Sequence, residues 1–272
     1  LSVWQHRHPD VPRPDEYGFD EYLLPYLNWP PTKYGKKWSQ KTHRARSTEL
    51  FVDESVKYLK ERKKADKPFF LQLWLLDPHV PLIPDKDQMD HYEDIKTRQP
   101  YNKNPDLDPT KIYYSVLTEM DKQLGRLFDS VDSLGLAEDT YIIFTSDNGA
   151  PNPGSYDYYV GKGSNGPFRG QKGSLYEGGI RTPFIIKRPG KVPAGKVDDS
   201  SVISGVDFLP TFCSMAGAKV PENKHFDGED ISKAFSGRGY SRKKPLMWQW
   251  RYGQPREALH KSPMLAIRED RW

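Results

Sequence analysis

Only one cysteine, Cys213, stands in the 272 residues, so no disulfide framework can form within the chain. No apolar run approaches the roughly 18 residues needed to cross a bilayer, and Leu1 opens no basic, apolar, small-residue leader. Internal repeats and low-complexity tracts are lacking as well. An excess of one charge is also missing: 41 Lys and Arg face 37 Asp and Glu, a formal net charge of +4. That balance suits an anionic small substrate and gives no argument for nucleic acid. The basic residues are scattered, with short clusters at Lys33 to Lys37, Arg62 to Lys64 and Arg242 to Lys244 that read as solvated surface. Hydrophobic residues make up only 36%, yet 13% aromatics supply bulky core material, so a globular chain with long polar loops is expected. The length allows one large α/β domain or two smaller ones.

The segment Thr140 to Pro183 organises the rest. Tyr141-Ile-Ile-Phe-Thr145 has the length and β-branched character of a buried strand, and it stops at Ser146-Asp147-Asn148-Gly149. Two hard oxygen donors therefore stand at the carboxyl end of a strand, the edge where open α/β sheets bind ligands. A glycine-rich stretch follows, then Arg169-Gly-Gln-Lys-Gly173 and Tyr176-Glu177-Gly178-Gly179-Ile-Arg181-Thr-Pro183.

Elsewhere the pattern alternates helix and strand. Phe51, Val52, Val56 and Leu59 fall at helical spacing from Ser47 to about Lys64, with Ser47 or Thr48 as a candidate N-cap and Asp66-Lys67-Pro68 as the stop. Phe69 to Leu76 is a near-continuous apolar run, predicted as a central strand covered on both faces. Residues 80–109 read as a long loop. From Thr110 to Leu134 a helical stripe runs through Tyr113, Val116, Leu117, Met120, Leu124, Leu127, Phe128, Val131 and Leu134, with Gly135 as C-cap. Phe184 to Ile186 is a third strand, and Val206 to Gly217 a short helix carrying a core Cys213. The expected architecture is α/β, a mostly parallel sheet sandwiched by helices with right-handed crossovers.

Asp147 and Asn148 suit Ca²⁺ or Mg²⁺, although two ligands do not complete a site and an Asx turn would use the same residues. His79 follows the Phe69–Leu76 run in Asp77-Pro78-His79-Val80-Pro81, where two prolines stiffen the backbone; a positioned imidazole can donate to an anion or protonate a leaving alcohol, and a loop histidine can equally be plain surface. Lys172 sits between glycines and offers a compact positive charge, or is a solvated loop lysine. Arg169, Glu177 and Arg181 read as braces of that loop through ion pairs. Gly161-Lys-Gly163-Ser-Asn-Gly166 satisfies a dinucleotide pattern, but Pro167 follows and no helix opens, so that reading falls.

Taken together, Ser146-Asp147-Asn148-Gly149 and, about two dozen residues later, Lys172-Gly-Ser-Leu-Tyr-Glu177-Gly-Gly-Ile-Arg-Thr-Pro183 resemble the sulfatase family of the alkaline-phosphatase superfamily. Gly18-Phe19-Asp20-Glu21, Asp207-Phe-Leu-Pro-Thr211 and Phe226-Asp-Gly228-Glu-Asp230 extend the resemblance from about Tyr17 to Ile231. It implies an alkaline-phosphatase-like fold, with residues 1–240 as the C-terminal part of the catalytic α/β domain and 241–272 as the start of a small antiparallel subdomain. It implies hydrolysis of a sulfate monoester of a sugar or aryl alcohol, with His79 and Lys172 as catalytic, sulfate-holding residues and Asp147 and Asn148 on Ca²⁺ rather than Mg²⁺. The family's Cys/Ser-x-Pro-x-Arg motif, source of the formylglycine nucleophile, does not occur here, and Cys213 does not fit it. Formylglycine is therefore expected upstream, and the chain alone is expected to be inactive. The implied partners are a sulfated small molecule or glycan, without nucleic acid or a membrane span, in a periplasmic, secreted or lysosomal setting. The alternatives are a phosphate- or phosphonate-ester hydrolase of the same superfamily and a non-catalytic remnant that binds sulfated glycans.

Overall fold

The computed structural model describes residues 14–22, 44–95, 108–151, 163–220, 223–250 and 262–270. The chain divides into two compact units, one formed by residues 1–136 and 153–163, the other by 137–152 and 164–272.

In the first unit, helix α1 (Ser47–Ala65) buries Leu50, Phe51, Val52, Ser55 and Leu59 on one stripe. It ends where Asp66 takes a left-handed conformation, φ 49°, ahead of Pro68. The expected capping role of Ser47 and Thr48 is not what their side chains do. Arg46 is the N-cap, without a side-chain cap bond, and both hydroxyls donate to the Asp77 carboxylate instead. Residues 80–109 are not a plain loop where they are described. Lys86–Met89 forms a single-turn helix, α2, closed by reciprocal bonds between Asp85 and Gln88, and Asp90–Tyr92 adds a 3₁₀ turn. Arg46 grips Asp85 and Asp87 from α1, and Gln88 donates to Ala45 O at 2.8 Å, so polar anchors invisible to periodicity fold this stretch.

Helix α3 (Pro109–Ser133) starts as its sequence dictates: Asp108 accepts from the Thr110 and Lys111 amides, and Pro109 occupies the first turn, where its missing N–H costs nothing. Gly135, at φ 64°, lies just beyond its end. The buried stripe includes Val116, Leu127 and Val131 as expected, but also Ile112, Glu119 and Gln123. Gln123 donates to Glu119 and accepts from Arg126, which reaches Asp53 on α1 at 2.6 Å. A satisfied polar ladder can line a helix interface, and apolar counting does not see it.

Phe69–Leu76 joins no strand ladder among the described residues. Leu73, Leu75 and Leu76 pack with Phe51 of α1, whereas Phe70 is 56% and Trp74 44% exposed. Burial along the run does not follow a two-residue period: Leu76 is buried although it has the same parity as the exposed Phe70 and Trp74, and the run is not covered on both faces as expected. Apolar content shows which residues favour burial, not which chain segments lie beside them.

The second unit holds two strand pairs. Strand β1 (Ile142–Thr145) pairs with β2 (Phe184–Lys187), and β3 (Leu246–Gln249) with β4 (Leu265–Arg268). Both pairs are antiparallel, and no parallel ladder occurs among the described residues. The parallel arrangement expected of the sheet is not what β1 and β2 adopt, and the described part of their connection holds only the four-residue helix α4 (Glu177–Ile180). Antiparallel register sets Thr145 opposite Phe184, so the end of β1 adjoins the start of β2. Phe184 packs near Phe208 of α5 (Phe208–Met215) and Phe235 of α6 (Ser232–Phe235), with ring centroids 6.1 and 5.8 Å away. Cys213 on α5 is half-buried rather than a core residue. Asp207, fully buried before α5, accepts from the Ser204 and Glu229 amides and from Arg242, tying three segments together.

Candidate active site

Two of the motif segments meet in the second unit because β1 and β2 are antiparallel. Beyond Thr145 the chain passes through Asp147, which is exposed, and Asn148, which is half-buried. The Asn148 amide nitrogen donates to Gly149 O at 2.9 Å, which leaves its carbonyl oxygen as the atom suited to a cation. Gly149 then continues the antiparallel sense of the sheet, donating to Gly179 O at 3.0 Å. The glycine is required here by proximity rather than by a special backbone angle: a Cβ would lie 1.9 Å from Gly178 O and 2.8 Å from Gly178 C. Gly149→Ala is accordingly expected to force the two segments apart and destabilise by about 1–3 kcal/mol or more. A thermal melt within about 1 °C of wild type would contradict that packing.

Lys172 is half-buried, and its backbone N–H donates to Ala150 O at 3.0 Å, so the lysine and the Asp147–Asn148 segment share a direct main-chain bond. Gly170 and Gly173 on either side take φ of 84° and 85°, the left-handed region that side chains other than glycine disfavour. Their freedom shapes the turn. The loop is braced as the sequence suggested, though not by ion pairs alone. Glu177 pairs with Arg181 at 3.2 Å and with Arg268 of β4 at 3.5 Å, while Arg169 stacks on the Tyr176 ring, 4.1 Å from its centroid, and Arg181 on Phe168 at 4.6 Å. Cation–π stacking on aromatic neighbours takes the place of a carboxylate partner for Arg169.

His79 lies in the first unit, and the other three candidates in the second. Its ring is exposed, with Nδ1 2.6 Å from Val80 O. A carbonyl only accepts, so the contact places the proton on Nδ1 and directs acid–base chemistry to Nε2. Its turn is gripped by residues that motif reading passed over. Arg44, 4% exposed, donates to His79 O at 2.6 Å and to Pro81 O at 3.1 Å, and stands 3.6 Å from Asp77. Asp77 accepts from Thr48 and Ser47 at 2.7 and 3.2 Å. Burial pushes the Asp77 carboxyl above the usual carboxylate range, against the opposing pull of Arg44 and the two hydroxyls. Burial likewise lowers the Arg44 guanidinium, against the pull of Asp77. The only sequence signal was the acid directly before Pro78-His79.

No group of three or more His, Cys, Asp or Glu side chains able to hold a metal ion occurs among the described residues. Asp147 and Asn148 fit as hard oxygen donors but supply only part of a Ca²⁺ shell. Tyr156, Tyr158 and Tyr159, which the sequence offers either for stacking on a sugar or aryl ring or for packing their own loop against the domain, lie outside the described residues, as do residues 96–107. No helix among the described residues is long and apolar enough to cross a membrane.

A strand end carrying two oxygen donors is thus bonded through its main chain to a glycine loop that carries a lysine. The Sulfatase family model matches residues 5–218, and the model for the C-terminal region of N-sulphoglucosamine sulphohydrolase matches 166–272. The chain belongs to the sulfatase family. It is 32% identical over 215 residues to a sulfatase of Formosa agariphila, covering 75% of this chain and 36% of that protein. It is 29% identical over 268 residues to the N-acetylgalactosamine-6-sulfatase of Canis lupus familiaris, covering 87% and 46%. Among solved structures it is similar to Ps i-CgsB in complex with k-i-k-neocarrahexaose, at 30% identity and a TM-score of 0.65, covering 83% of this chain and 45% of that one. The chain thus spans less than half the length of these relatives. Its structural neighbours include sulfatases of the alkaline-phosphatase-like fold and also the phosphonate monoester hydrolase SpPMH of Silicibacter pomeroyi, at 21% identity and a TM-score of 0.55.

Proposed function

We propose that this chain is the C-terminal part of a sulfatase catalytic domain, residues 1–240, with the opening of a C-terminal subdomain at 241–272, and that the whole protein hydrolyses a sulfate monoester of a sugar or aryl alcohol. The mostly parallel sheet expected of that domain is part of the same proposal. The observation that carries it is the bond between Lys172 N and Ala150 O, which makes the anion-binding loop and the oxygen-donor loop one unit. Asp147 and Asn148 would provide two of the Ca²⁺ ligands, and the remainder, with the formylglycine, would come from chain preceding Leu1. When bound, those groups supply positive charge and a nucleophilic hydroxyl.

The chain's own residues bind, orient and move a proton. The Lys172 ammonium holds a sulfate oxygen and stabilises the charge that grows there as the ester bond breaks. His79, with its Nδ1 proton held by Val80 O, presents Nε2; as imidazolium it orients the sulfate and protonates the departing alcohol oxygen from that atom. A saccharide substrate is supported by the names of relatives, one a sulfatase for N-acetylgalactosamine and one solved with a neocarrahexaose. A periplasmic, secreted or lysosomal location belongs to the same reading.

The test is to express the whole protein and assay aryl sulfate and aryl phosphate side by side, before and after chelation. Sulfate release that EGTA abolishes and Ca²⁺ restores is the expected result, together with no turnover by the 272-residue chain alone. Preferential phosphate release would move the protein to the phosphohydrolases. Retention on a sulfated glycan column without any turnover would make it a binding protein.

A further inference from the structure

We infer that Asn165 is a positioning residue that latches the Lys172 loop onto the Asp147–Asn148 loop and so sets the lysine relative to the oxygen donors. The inference rests on the function proposed for those residues. Asn165 belongs to the segment whose glycines match a dinucleotide pattern without its context, so the motif reading left it without a role.

Its side chain bonds to both loops at once. Oδ1 accepts from the Ala150 N–H at 2.7 Å, and Nδ2 donates to Ala150 O at 3.2 Å and to Gly170 O at 3.3 Å. The amide orientation is dictated by its neighbours, because Ala150 N can only donate and the two carbonyls can only accept. Ala150 O takes the Lys172 N–H as well, so the carbonyl that receives the lysine backbone is held from a second side. Asn165 is itself held by a turn in which Phe168 N donates to Asn165 O at 3.1 Å, with Gly166 at φ 57°. Its Oδ1 also stands 3.0 Å from where a Cβ on Gly149 would be. A planar amide offering one acceptor and two donors meets all three backbone groups, and neither a shorter side chain nor a carboxylate does.

The latch matters chemically because Lys172 must meet an anion whose place is fixed by the other loop. A misplacement of about 1 Å between a binding group and a reacting centre costs on the order of 100-fold in rate. Asn165→Ala in the whole protein should therefore lower kcat/KM by roughly 10- to 100-fold, mostly in kcat. The same substitution made on a Lys172→Ala background should have an effect below about threefold, since there is no lysine left to position. Asn165→Asp, which keeps the shape and the Ala150 acceptor but loses both donors, should behave like Asn165→Ala.

A second readout stands apart from activity. Hydrogen exchange at the Lys172 amide should quicken by roughly tenfold or more in Asn165→Ala and Asn165→Asp, while the buried turns of α3 keep their protection. Unchanged Lys172 protection in both variants overturns the latch, whatever the enzyme does. Full additivity of Asn165→Ala with Lys172→Ala, or a wild-type rate for Asn165→Asp, overturns the positioning role. If Lys172→Ala alone leaves the rate intact, the functional reading has failed instead, and the exchange result still decides whether the latch exists. Should Asn165→Ala fail to fold, Asn165→Asp carries both measurements.

Discussion

Lys172→Ala is expected to lower kcat/KM of the whole protein on its sulfate ester by roughly 100- to 1000-fold, the loss seen when one preorganised charge-stabilising donor is removed from a hydrolase. Its thermal midpoint should move by only a few degrees, about 2–4 °C, because the main-chain bond to Ala150 survives the substitution. The contrast follows from which atoms hold the loop. Main-chain groups, the Asn165 amide and two glycines at positive φ contribute to that hold, and the bond between Lys172 and Ala150 uses the lysine backbone N–H, which alanine keeps. Lys172→Arg should not restore the rate, because a planar fork does not occupy the place of a compact ammonium. Steady-state kinetics beside a melt of each variant make the measurement. An unaltered kcat/KM for Lys172→Ala would remove the residue from the mechanism and with it the strongest link between this loop and sulfate.

The second large effect concerns stability. Arg44→Met should destabilise by about 3–5 kcal/mol near neutral pH, because it deletes two bonds to the carbonyls of the His79 turn and leaves the Asp77 carboxylate buried without its counter-charge. The loss should depend on pH in one direction. Burial already raises the folded-state pKa of Asp77 above its unfolded value, so the folded chain binds the proton more tightly and this group's contribution is fully present below the unfolded pKa and lost as pH rises through the folded one. Removing Arg44 removes the main influence that opposes the rise. In the variant, Asp77 stays protonated and uncharged to higher pH, and ionising it thereafter has no compensation. The destabilisation measured by urea unfolding should therefore be smaller at about pH 5 than at about pH 8. Equal losses at both pH values would show that Arg44 acts through its two carbonyl bonds and not through Asp77.

Much of this molecule was legible from residue order because the signals are local. The stop of α1 at Asp66-Lys67-Pro68, the helical stripe of α3 with Gly135 at its end and the strand Ile142–Thr145 each follow from a cap, a proline, a glycine or a short apolar period. The family followed from the order and spacing of Ser146-Asp147-Asn148-Gly149 and Lys172 to Pro183, which need no third dimension to be read. Other features depend on partners distant in sequence. Ser47 and Thr48 look like caps, yet they bind an aspartate about thirty positions away. Phe69–Leu76 has strand composition and lacks a described partner strand, and Glu119 and Gln123 are polar yet buried because they satisfy one another. Above all, the sense of pairing between β1 and β2 was beyond composition, since the same apolar strands can run parallel or antiparallel. The antiparallel choice brings Gly149 against Gly178 and Ala150 against Lys172, with Asn165 bonded across them. Sequence determined which groups are available for chemistry; tertiary structure alone decided which backbone carbonyls and amides they meet, because a hydrogen bond is specified by distance and direction rather than by position along the chain.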